Sequence, residues 1–262
     1  MATPPSLVSR KTEDDGVELL VLRNPPVNAL STVIIRSLAD QISAIEADPR
    51  SRAVIVTGDG QFFSAGADVK EMAAMDLAQA PAVVAKGIET FGRLEALRVP
   101  VIAAINGMAV GGGLELALAC DLRIAGDSAK MGAPETKIGL IPAYGGTQRL
   151  SRLVGAAKAK ELIFSGGMIA AAEAMRIGLV NRTVPSGQEL RAARDLAHTI
   201  AQNSPKAVQA AKRAIQASRD SSLAAGLALE SELFRTEILP GADLPEGIAA
   251  WIEHRPPKFT GE

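Results

Sequence analysis

Residues 99 to 120 read VPVIAAINGMAVGGGLELALAC. The β-branched run at 101 to 106 predicts a buried strand, and the glycines at 111 to 113 predict a turn that opens an apolar helix over 112 to 120. The stretch is long enough to test as a membrane span, but Pro100, Glu115 and four glycines would interrupt or burden such a helix. We therefore expect a strand, a turn and a helix inside a folded core, with no membrane partner.

The same alternation of short apolar runs and helical spacing continues along the chain. Strands are predicted at 17 to 22, 53 to 57, 101 to 106, 122 to 125 and 180 to 184, and helices at 32 to 47, 112 to 120, 189 to 202, 205 to 218 and 222 to 237. This alternation is typical of an α/β domain. Because the composition becomes Ala-rich and helical from residue 188, we predict a core over 1 to 187 and a C-terminal helical module over 188 to 262.

Charge and composition exclude several classes of protein. The 28 basic and 29 acidic residues give a net charge of -1 without a basic block, so we expect no nucleic-acid partner. The single Cys120 excludes an internal disulfide framework, and two histidines without Cys/His clusters give no reason to expect a metal site. The N-terminal residues lack the apolar run of a signal peptide, so we expect a cytoplasmic protein.

Glu115 and Glu135 are the acids that favour catalysis. Glu115 is the only carboxylate among the apolar residues 99 to 120, and Glu135 follows in the small-residue stretch GAPE at 132 to 135. Burial raises the proton affinity of a carboxylate, and two nearby carboxylates resist double ionisation, which keeps one acid and one base ready at neutral pH. The alternative for Glu115 is a structural role, with its carboxylate bonded to backbone amides.

Two glycine-rich loops are candidates for an oxyanion site. Residues 62 to 70 read FFSAGADVK, and 111 to 113 are GGG at the start of a helix, where backbone amides lack intrahelical partners. Each loop alone is more typical of a tight turn, and together they could supply one amide each to an oxyanion. The nucleotide-binding fingerprints fail, since neither a complete dinucleotide pattern nor a phosphate-binding loop ending in Gly-Lys-Ser/Thr occurs.

Four ordered motifs carry a family resemblance. They are SAGADVK at 64 to 70, NGMAVGGGLEL at 106 to 116, PE at 134 to 135 and IPAYGGTQRL at 141 to 150. Together they closely resemble the crotonase, or enoyl-CoA hydratase/isomerase, superfamily, from about Val17 to the C-terminal RPPKF at 255 to 259. The resemblance implies a crotonase-like spiral of ββα repeats with a C-terminal helical trimerisation region, assembled as a homotrimer or homohexamer.

The resemblance also implies the ligand and the roles of the site residues. The ligand is an acyl-CoA thioester, so that CoA is part of the substrate and no separate cofactor is expected. The amides of Ala67 and Gly112 would hold the thioester oxygen, and Glu115 and Glu135 would be the catalytic carboxylates. The residues implied around CoA are Pro26, Val27, Ala65, Ala67, Asp68, Val69, Lys70 and Lys258. Lys70 is equally typical of a solvated helix start, and Lys258 of a disordered terminus.

The retained pair of acids favours an enoyl-CoA hydratase, an enzyme that reversibly adds water in syn fashion across the C2–C3 double bond to give a 3-hydroxyacyl-CoA. In this interpretation Glu135 donates a proton to C2 and Glu115 acts as the base. The alternatives are an enoyl-CoA isomerase, a methylglutaconyl-CoA-type hydratase that would need a pocket cation, and a CoA-thioester-binding or RNA-associated scaffold. Ala143 and Tyr144 depart from the usual small residues before Gly145 and put the acyl preference in doubt, and residues 71 to 87 are the expected pocket wall.

Overall fold

The computed structural model describes residues 6 to 262. Residues 1 to 5, which carry most of the expectation about the N-terminus and the first part of the predicted core, lie outside the described residues. The strands are β1 Val8–Thr12, β2 Val17–Leu22, β3 Ala53–Gly58, β4 Phe62–Ser64, β5 Val101–Ile105, β6 Met108–Val110, β7 Leu122–Gly126, β8 Lys130–Gly132, β9 Met168–Ala170 and β10 Arg182–Val184.

The helices account for most of the rest of the described chain. They are α1 Thr32–Ala47, α2 Val69–Ala74, α3 Ala80–Ala96, α4 Gly112–Leu118, α5 Gly146–Val154, α6 Ala156–Ser165, α7 Ala171–Arg176, α8 Glu189–Ala201, α9 Pro205–Ala217, α10 Leu223–Leu233 and α11 Asp243–Ile252. A 3₁₀ turn covers Glu135–Ile138, and a π-helical segment covers Phe234–Ile238. Among the described helices none is long and apolar enough to cross a membrane.

The strands form two sheets that the chain visits in alternation. The larger sheet has the order β1-β2-β3-β5-β7-β10 and is parallel except for the β1–β2 pair. The smaller sheet has the order β4-β6-β8-β9 and is parallel except for the β8–β9 pair. Three strands of the larger sheet, β3, β5 and β7, are each followed by a short strand of the smaller sheet and then by a helical segment. The chain therefore winds as repeated ββα units, as the resemblance implied.

Apolar residues cover both faces of the larger sheet. On one face, β-strand residues such as Val54 and Ala103 belong to the main core, which includes Ile34 of α1 and Phe91 of α3. On the other face, Ile55 and its neighbours pack against α8, and contribute to a second buried cluster. Strands buried on both faces have continuous apolar runs, which is why these strands could be predicted from the sequence.

The C-terminal helices return to the core through polar anchors. In α9, the Lys212 amine donates to Val99 O at 2.9 Å and pairs with Asp121 at 2.7 Å. Gln216 donates to Glu95 O at 2.8 Å. Because α8 packs directly on the larger sheet, the first helix after residue 188 shares the core of the preceding region. The division at 187/188 stays a prediction.

Five predicted strands and five predicted helices correspond to observed elements, with small shifts at their ends. The last predicted strand is shorter, Arg182–Val184, and the predicted helix at 222 to 237 ends as α10 at Leu233 and continues as the π-helical segment. The strands of the smaller sheet were not predicted. Each is three residues long, too short for an apolar period to develop.

Candidate active site

Two loops meet where neighbouring strands of the smaller sheet end. Strands β4 and β6 pair in parallel, so the chain leaves Ser64 and Val110 on the same edge of the sheet. The loop at 65 to 68 follows β4, and Gly111 with the start of α4 follows β6. Parallel pairing therefore brings together the two glycine-rich loops that the sequence singled out.

Gly66 allows the close approach of these loops. Its φ is +89°, and a Cβ at this position would lie 2.6 Å from Val110 O. A Cβ on Gly112 would lie 3.5 Å from the amide nitrogen of Ala67, so the main chains of Ala67 and Gly112 are neighbours. A side chain at position 66 would force the two loops apart.

The amides of Ala67 and Gly112 are available to a ligand. Leu30 forms a bridge with Ala67, in which Leu30 N donates to Gly66 O at 2.7 Å, and the Ala67 amide has no acceptor within residues 6 to 262. Gly112 is the first residue of α4, and its amide also has no acceptor in that range. Two adjacent unpaired donors are the arrangement that stabilises a developing oxyanion.

Glu115 is held by backbone amides from another segment. It lies in the first turn of α4 with only 4% of its surface exposed, and its Oε1 accepts hydrogen bonds from Tyr144 N and Gly146 N, both at 2.7 Å. Burial raises the pKa of Glu115 to about 7, and the charge of Glu135 acts in the same direction, while the two amides and Arg149 oppose the rise. The carboxylate is therefore fixed in position, and its proton affinity is higher than that of an ordinary glutamate.

Glu135 has a contrasting environment. It begins the 3₁₀ turn after β8, and both carboxylate oxygens are buried without a hydrogen-bond partner in the described structure. A Cβ on Gly111 would lie 2.9 Å from Glu135 Oε1, which places this carboxyl group beside the loop that supplies the Gly112 amide. Burial raises the pKa of Glu135 above the ordinary value of a glutamate.

A pocket of about 320 Å³ continues from Ala67 between α1, α2 and α3. We call it the acyl pocket. It is lined by Leu30, Thr32, Ile35, Arg36, Ala67, Asp68, Glu71, Met72, Met75, Ala82, Val83, Lys86 and Tyr144. Six of these residues belong to the segment 71 to 87 that was expected to form the pocket wall.

Tyr144 narrows the acyl pocket and also positions Glu115. Its ring packs edge-on against Phe91, with the centroids 5.4 Å apart and the planes at 79°. A Cβ on Gly87 would lie 2.4 Å from the Tyr144 ring, so this glycine makes room for the phenol. The departure seen in the sequence thus contributes a pocket wall through its side chain and a hydrogen bond to Glu115 through its amide.

The structure brings together most of the residues expected around CoA. Ala65 N donates to Val27 O at 3.0 Å, which fixes the 26 to 27 segment beside the 65 to 70 loop. The Asp68 carboxylate caps α2 by accepting from Lys70 N and Glu71 N at 3.0 and 3.2 Å. The side chains of Pro26, Val69 and Lys70 are exposed on this surface.

Lys258 lies apart from this surface within the single chain. Its amide donates to Glu246 Oε1 of α11 at 2.7 Å, and its side chain borders a hollow formed with residues 242 to 260. The expected contact with CoA concerns the site of a neighbouring subunit, and it stays a prediction.

Sequence reasoning missed two arginines that support the site. Arg149 donates to Tyr144 O at 2.9 Å and pairs with Glu95, which steadies the segment whose amides hold Glu115. The buried Arg123 donates to Ala117 O and Cys120 O at the end of α4 and to Leu179 O. Arg149 lies within the quoted IPAYGGTQRL motif, but Arg123 carries no signal beyond being a charge in an apolar strand.

Comparisons with known proteins assign the family. Residues 12–262 match the family model described as enoyl-CoA hydratase/isomerase. The chain belongs to this family.

Individual relatives extend over nearly the whole chain. A short-chain-enoyl-CoA hydratase of Clostridium acetobutylicum is 43% identical, over 93% of this chain and 94% of the relative. A 2,3-dehydroadipyl-CoA hydratase of Escherichia coli is 41% identical, over 97% and 98%. The crystal structure of an enoyl-CoA hydratase from Bacillus anthracis is 41% identical and superposes with a TM-score of 0.95, covering 98% of this chain and 100% of that one.

These likenesses confirm the predicted superfamily and its α/β fold. They also confirm the prediction of an enzyme of the enoyl-CoA hydratase type with an acyl-CoA substrate. The roles of individual residues are a separate matter, and they rest on the geometry described above.

Proposed function

We propose that this chain hydrates 2-enoyl-CoA thioesters to 3-hydroxyacyl-CoA in a reversible syn addition, using the amides of Ala67 and Gly112 and the carboxyl groups of Glu115 and Glu135. The observation that carries the proposal is the contrast between the two acids. One has its oxygen fixed by two amides, and the other is buried without a partner, beside a pair of free amide donors.

The two amides would act on the thioester oxygen. When water adds at C3, electron density moves through C2 onto this oxygen, and two preorganised donors stabilise the enolate-like state. One such donor is worth roughly 3 kcal/mol in comparable oxyanion sites. The main-chain position of these donors explains why alanine and glycine suffice at positions 67 and 112.

The two carboxyl groups would handle the protons. Ionised Glu115 accepts a proton from water as the water oxygen bonds to C3, and protonated Glu135 donates a proton to C2 as the C2–C3 π bond breaks. Glu115 then carries the extra proton, and exchange with solvent or a reverse cycle restores both groups. The fixed oxygen of Glu115 suits a base that must orient water, and the unpartnered Glu135 suits a proton donor.

The first test measures the loss of enone-thioester absorbance when the protein meets crotonyl-CoA. The wild-type protein is compared with Glu115→Gln and Glu135→Gln, and binding of butyryl-CoA is measured for each. We expect hydration by the wild type, rate losses of about 10² to 10⁴ in both variants, and ligand affinity kept within severalfold. Turnover unaffected by either substitution would overturn the residue assignment.

An isomerase is the outcome if the wild type moves a double bond but adds no water, because proton shuttling needs one carboxylate only. A scaffold is the outcome if the wild type binds CoA thioesters without any turnover. An isomerase and a scaffold would both bind the thioester, so binding does not distinguish them from a hydratase. Analysis of the reaction products does, because only a hydratase forms the 3-hydroxyacyl-CoA.

We also propose a homotrimer or homohexamer. In support, Trp251 and Ile252 of α11 are 84% and 70% exposed, and they border an apolar hollow of about 420 Å³ that also contains Ile248 and Phe259. Large apolar side chains in one exposed patch are typical of a subunit interface. Sedimentation of the wild type and of Trp251→Glu tests this, with a smaller species expected for the variant.

We also propose a cytoplasmic location and a role in fatty-acid β-oxidation. We expect no cofactor beyond the CoA of the substrate. Cys120 is a free, buried thiol, and burial raises its pKa to about 12, which leaves it inert. Activity of the purified, metal-free protein without additions tests the cofactor statement.

A further inference from the structure

The carboxylate of Glu95 lies between the segment that holds Glu115 and the end of α9. It belongs to the last turn of α3, where its Oε2 accepts a hydrogen bond from Arg149 Nε at 2.9 Å and its Oε1 pairs with Arg219. Its backbone oxygen accepts from the Gln216 side chain at 2.8 Å. Three parts of the chain, α3, α5 and the end of α9 with the turn that follows, therefore meet at one acid that the proposed chemistry does not use.

A chain of contacts leads from this acid to the carboxylate of Glu115. Arg149 Nη1 donates to Tyr144 O at 2.9 Å. The amides of Tyr144 and Gly146 in turn donate to Glu115 Oε1, both at 2.7 Å. A Cβ on Gly145 would collide with Arg149 Nη1, so the guanidinium packs directly against the backbone between these two donors. Whatever orients the guanidinium therefore also orients the amides that hold Glu115.

The ion pair of Glu95 and Arg149 is mostly buried, with side chains that are 21% and 15% exposed. Burial raises the pKa of Glu95, but the hydrogen bonds and charges of Arg149 and Arg219 outweigh this effect and hold the pKa below its usual value. The acid is therefore ionised at neutral pH. Within residues 6 to 262 no other carboxylate lies within 4.0 Å of the Arg149 guanidinium. Loss of Glu95 would leave Tyr144 O as its one remaining acceptor in that range.

We propose that Glu95 is a positioning residue for the catalytic base, and that it acts through Arg149 on the segment 144 to 146. The inference rests on the proposed hydratase function, in which Glu115 accepts a proton from water. An ionised carboxylate fixes the plane of a guanidinium through charge-assisted hydrogen bonds. The guanidinium then fixes the backbone whose amides hold the base. Because Arg149 and this backbone separate Glu95 from Glu115, loss of Glu95 should slow the chemical step and leave thioester binding unchanged.

The test measures kcat and KM for the hydration of crotonyl-CoA, with the dissociation constant of butyryl-CoA as the measure of binding. The proteins are the wild type, Glu95→Ala, Glu95→Gln, Arg149→Gln and the double variant of Glu95→Ala with Arg149→Gln. Glu89→Ala is the matched control, because Glu89 also lies on α3 and its ion pair with Lys86 is on the surface. Each protein is assayed at its own pH optimum, so that a change in the ionisation of Glu115 is not mistaken for a change in its position.

We expect Glu95→Ala to lower kcat by about tenfold to a hundredfold, since misplacing a reacting group by about 1 Å has effects of this size. KM and the dissociation constant of butyryl-CoA should stay within severalfold of the wild type. Glu95→Gln keeps an oxygen that accepts from Arg149, so its kcat should lie between those of the wild type and Glu95→Ala. Because Glu95 acts through Arg149, adding Glu95→Ala to Arg149→Gln should cost less than about twofold further. Glu89→Ala should leave kcat unchanged.

Each other outcome overturns the inference. An unchanged kcat in Glu95→Ala means that Arg149 is oriented without this acid, and an equal loss in Glu89→Ala means that any negative charge of α3 has the same effect. Losses that multiply in the double variant mean that Glu95 acts independently of Arg149. A rise in KM and in the dissociation constant with an unchanged kcat means that Glu95 supports ligand binding instead.

If Glu95→Ala does not fold, the same comparison is made with Glu95→Gln, and an unchanged kcat then overturns the inference in the same way. The hydratase function stands in all of these cases, because the wild type hydrates crotonyl-CoA. No hydration by the wild type would overturn both.

Discussion

Glu115 and Glu135 are the same amino acid in two different environments. Glu115 is embedded in a helix, and its carboxylate accepts hydrogen bonds from two amides of the 144 to 146 segment. Glu135 starts a 3₁₀ turn, and its buried oxygens lack donors anywhere in residues 6 to 262. Burial raises the pKa of both groups, and the hydrogen bonds from two amides only partly offset this rise at Glu115.

The difference teaches how one site can hold an acid and a base of identical chemistry. Hydrogen-bond donors fix the orientation of the Glu115 carboxylate, whereas the Glu135 carboxyl group is buried without such donors in the described chain. The environment of each carboxyl group therefore assigns its role, and changing that environment should change the role. The predictions below separate the two groups in order of decreasing effect.

The largest effect should come from removing both acids together. Each single Gln substitution is expected to lower kcat by about 10² to 10⁴, because each interrupts the same concerted proton transfer. Groups that act as a unit give non-additive losses. The double variant should therefore be little slower than the slower single variant in the crotonyl-CoA assay.

Residual activity from bound wild-type protein is the main artefact, so all variants should be produced without a wild-type background. Losses that multiply in the double variant would mean that the two acids serve separate steps. The division into one base and one donor within a single step would then be wrong.

A second effect should appear in stability. Glu135→Leu removes a buried carboxyl group without partners and should raise the free energy of unfolding at pH 8. Glu115→Leu removes a buried carboxyl group too, but it leaves the amides of Tyr144 and Gly146 without an acceptor. An orphaned buried donor costs about 1 to 3 kcal/mol, so Glu115→Leu should be the less stable of the two by about that amount.

Urea unfolding of both Leu variants gives this comparison, and Glu115→Gln is the matched control because its amide oxygen still accepts both hydrogen bonds. Equal stability of the two Leu variants would show that the amides of Tyr144 and Gly146 find other partners. The different hydrogen bonding of the two acids would then not contribute to the free energy of unfolding.

The contrast between the acids was only partly visible in the sequence. Glu115 and Glu135 were both identified, and the pairing of the 65 to 68 and 111 to 112 loops followed from the family resemblance. The donors to Glu115 were not identified, because a main-chain amide has no residue-type signature and Tyr144 and Gly146 lie about thirty residues away along the chain. The strands that bring the loops together were also missed, since three residues carry no readable period.

The contribution of α1 to the acyl pocket was not identified for a related reason. It depends on the packing of α1, α2 and α3 around one pocket. A long buried run such as Ile102 to Ile105 can be predicted as a strand from its own residues. A site cannot be predicted in this way, because its residues come from several segments.

The pH dependence should report the environment of Glu115. The base must be ionised, and its pKa is raised to about 7, so kcat/KM should fall as the pH drops below about 7. The charge of Arg149 holds this pKa down, so Arg149→Gln should move the acid limb to higher pH. Arg149→Lys keeps the charge and should leave the limb close to its original position.

The pH profiles of kcat/KM for the three proteins are the measurement, taken with crotonyl-CoA well below its KM. A shift of the acid limb to lower pH in Arg149→Gln would contradict the sign of the effect. A shift of equal size in both variants would assign it to the displaced Tyr144 carbonyl rather than to charge.

The smallest effect should come from the phenol of Tyr144. The contact that supports Glu115 is the Tyr144 amide, and in the described structure its hydroxyl group makes no hydrogen bond. Tyr144→Phe keeps the amide and the edge-on packing against Phe91, so crotonyl-CoA hydration should change by less than about threefold, or under about 0.7 kcal/mol. Tyr144→Ala is the contrast, because it removes the ring from Phe91 and opens the pocket above Gly87, which should lower stability by about 3 kcal/mol and shift preference towards bulkier acyl chains. A loss above a hundredfold in Tyr144→Phe would instead place the phenol among the reacting groups, and a third proton-carrying residue would then have to join the two glutamates.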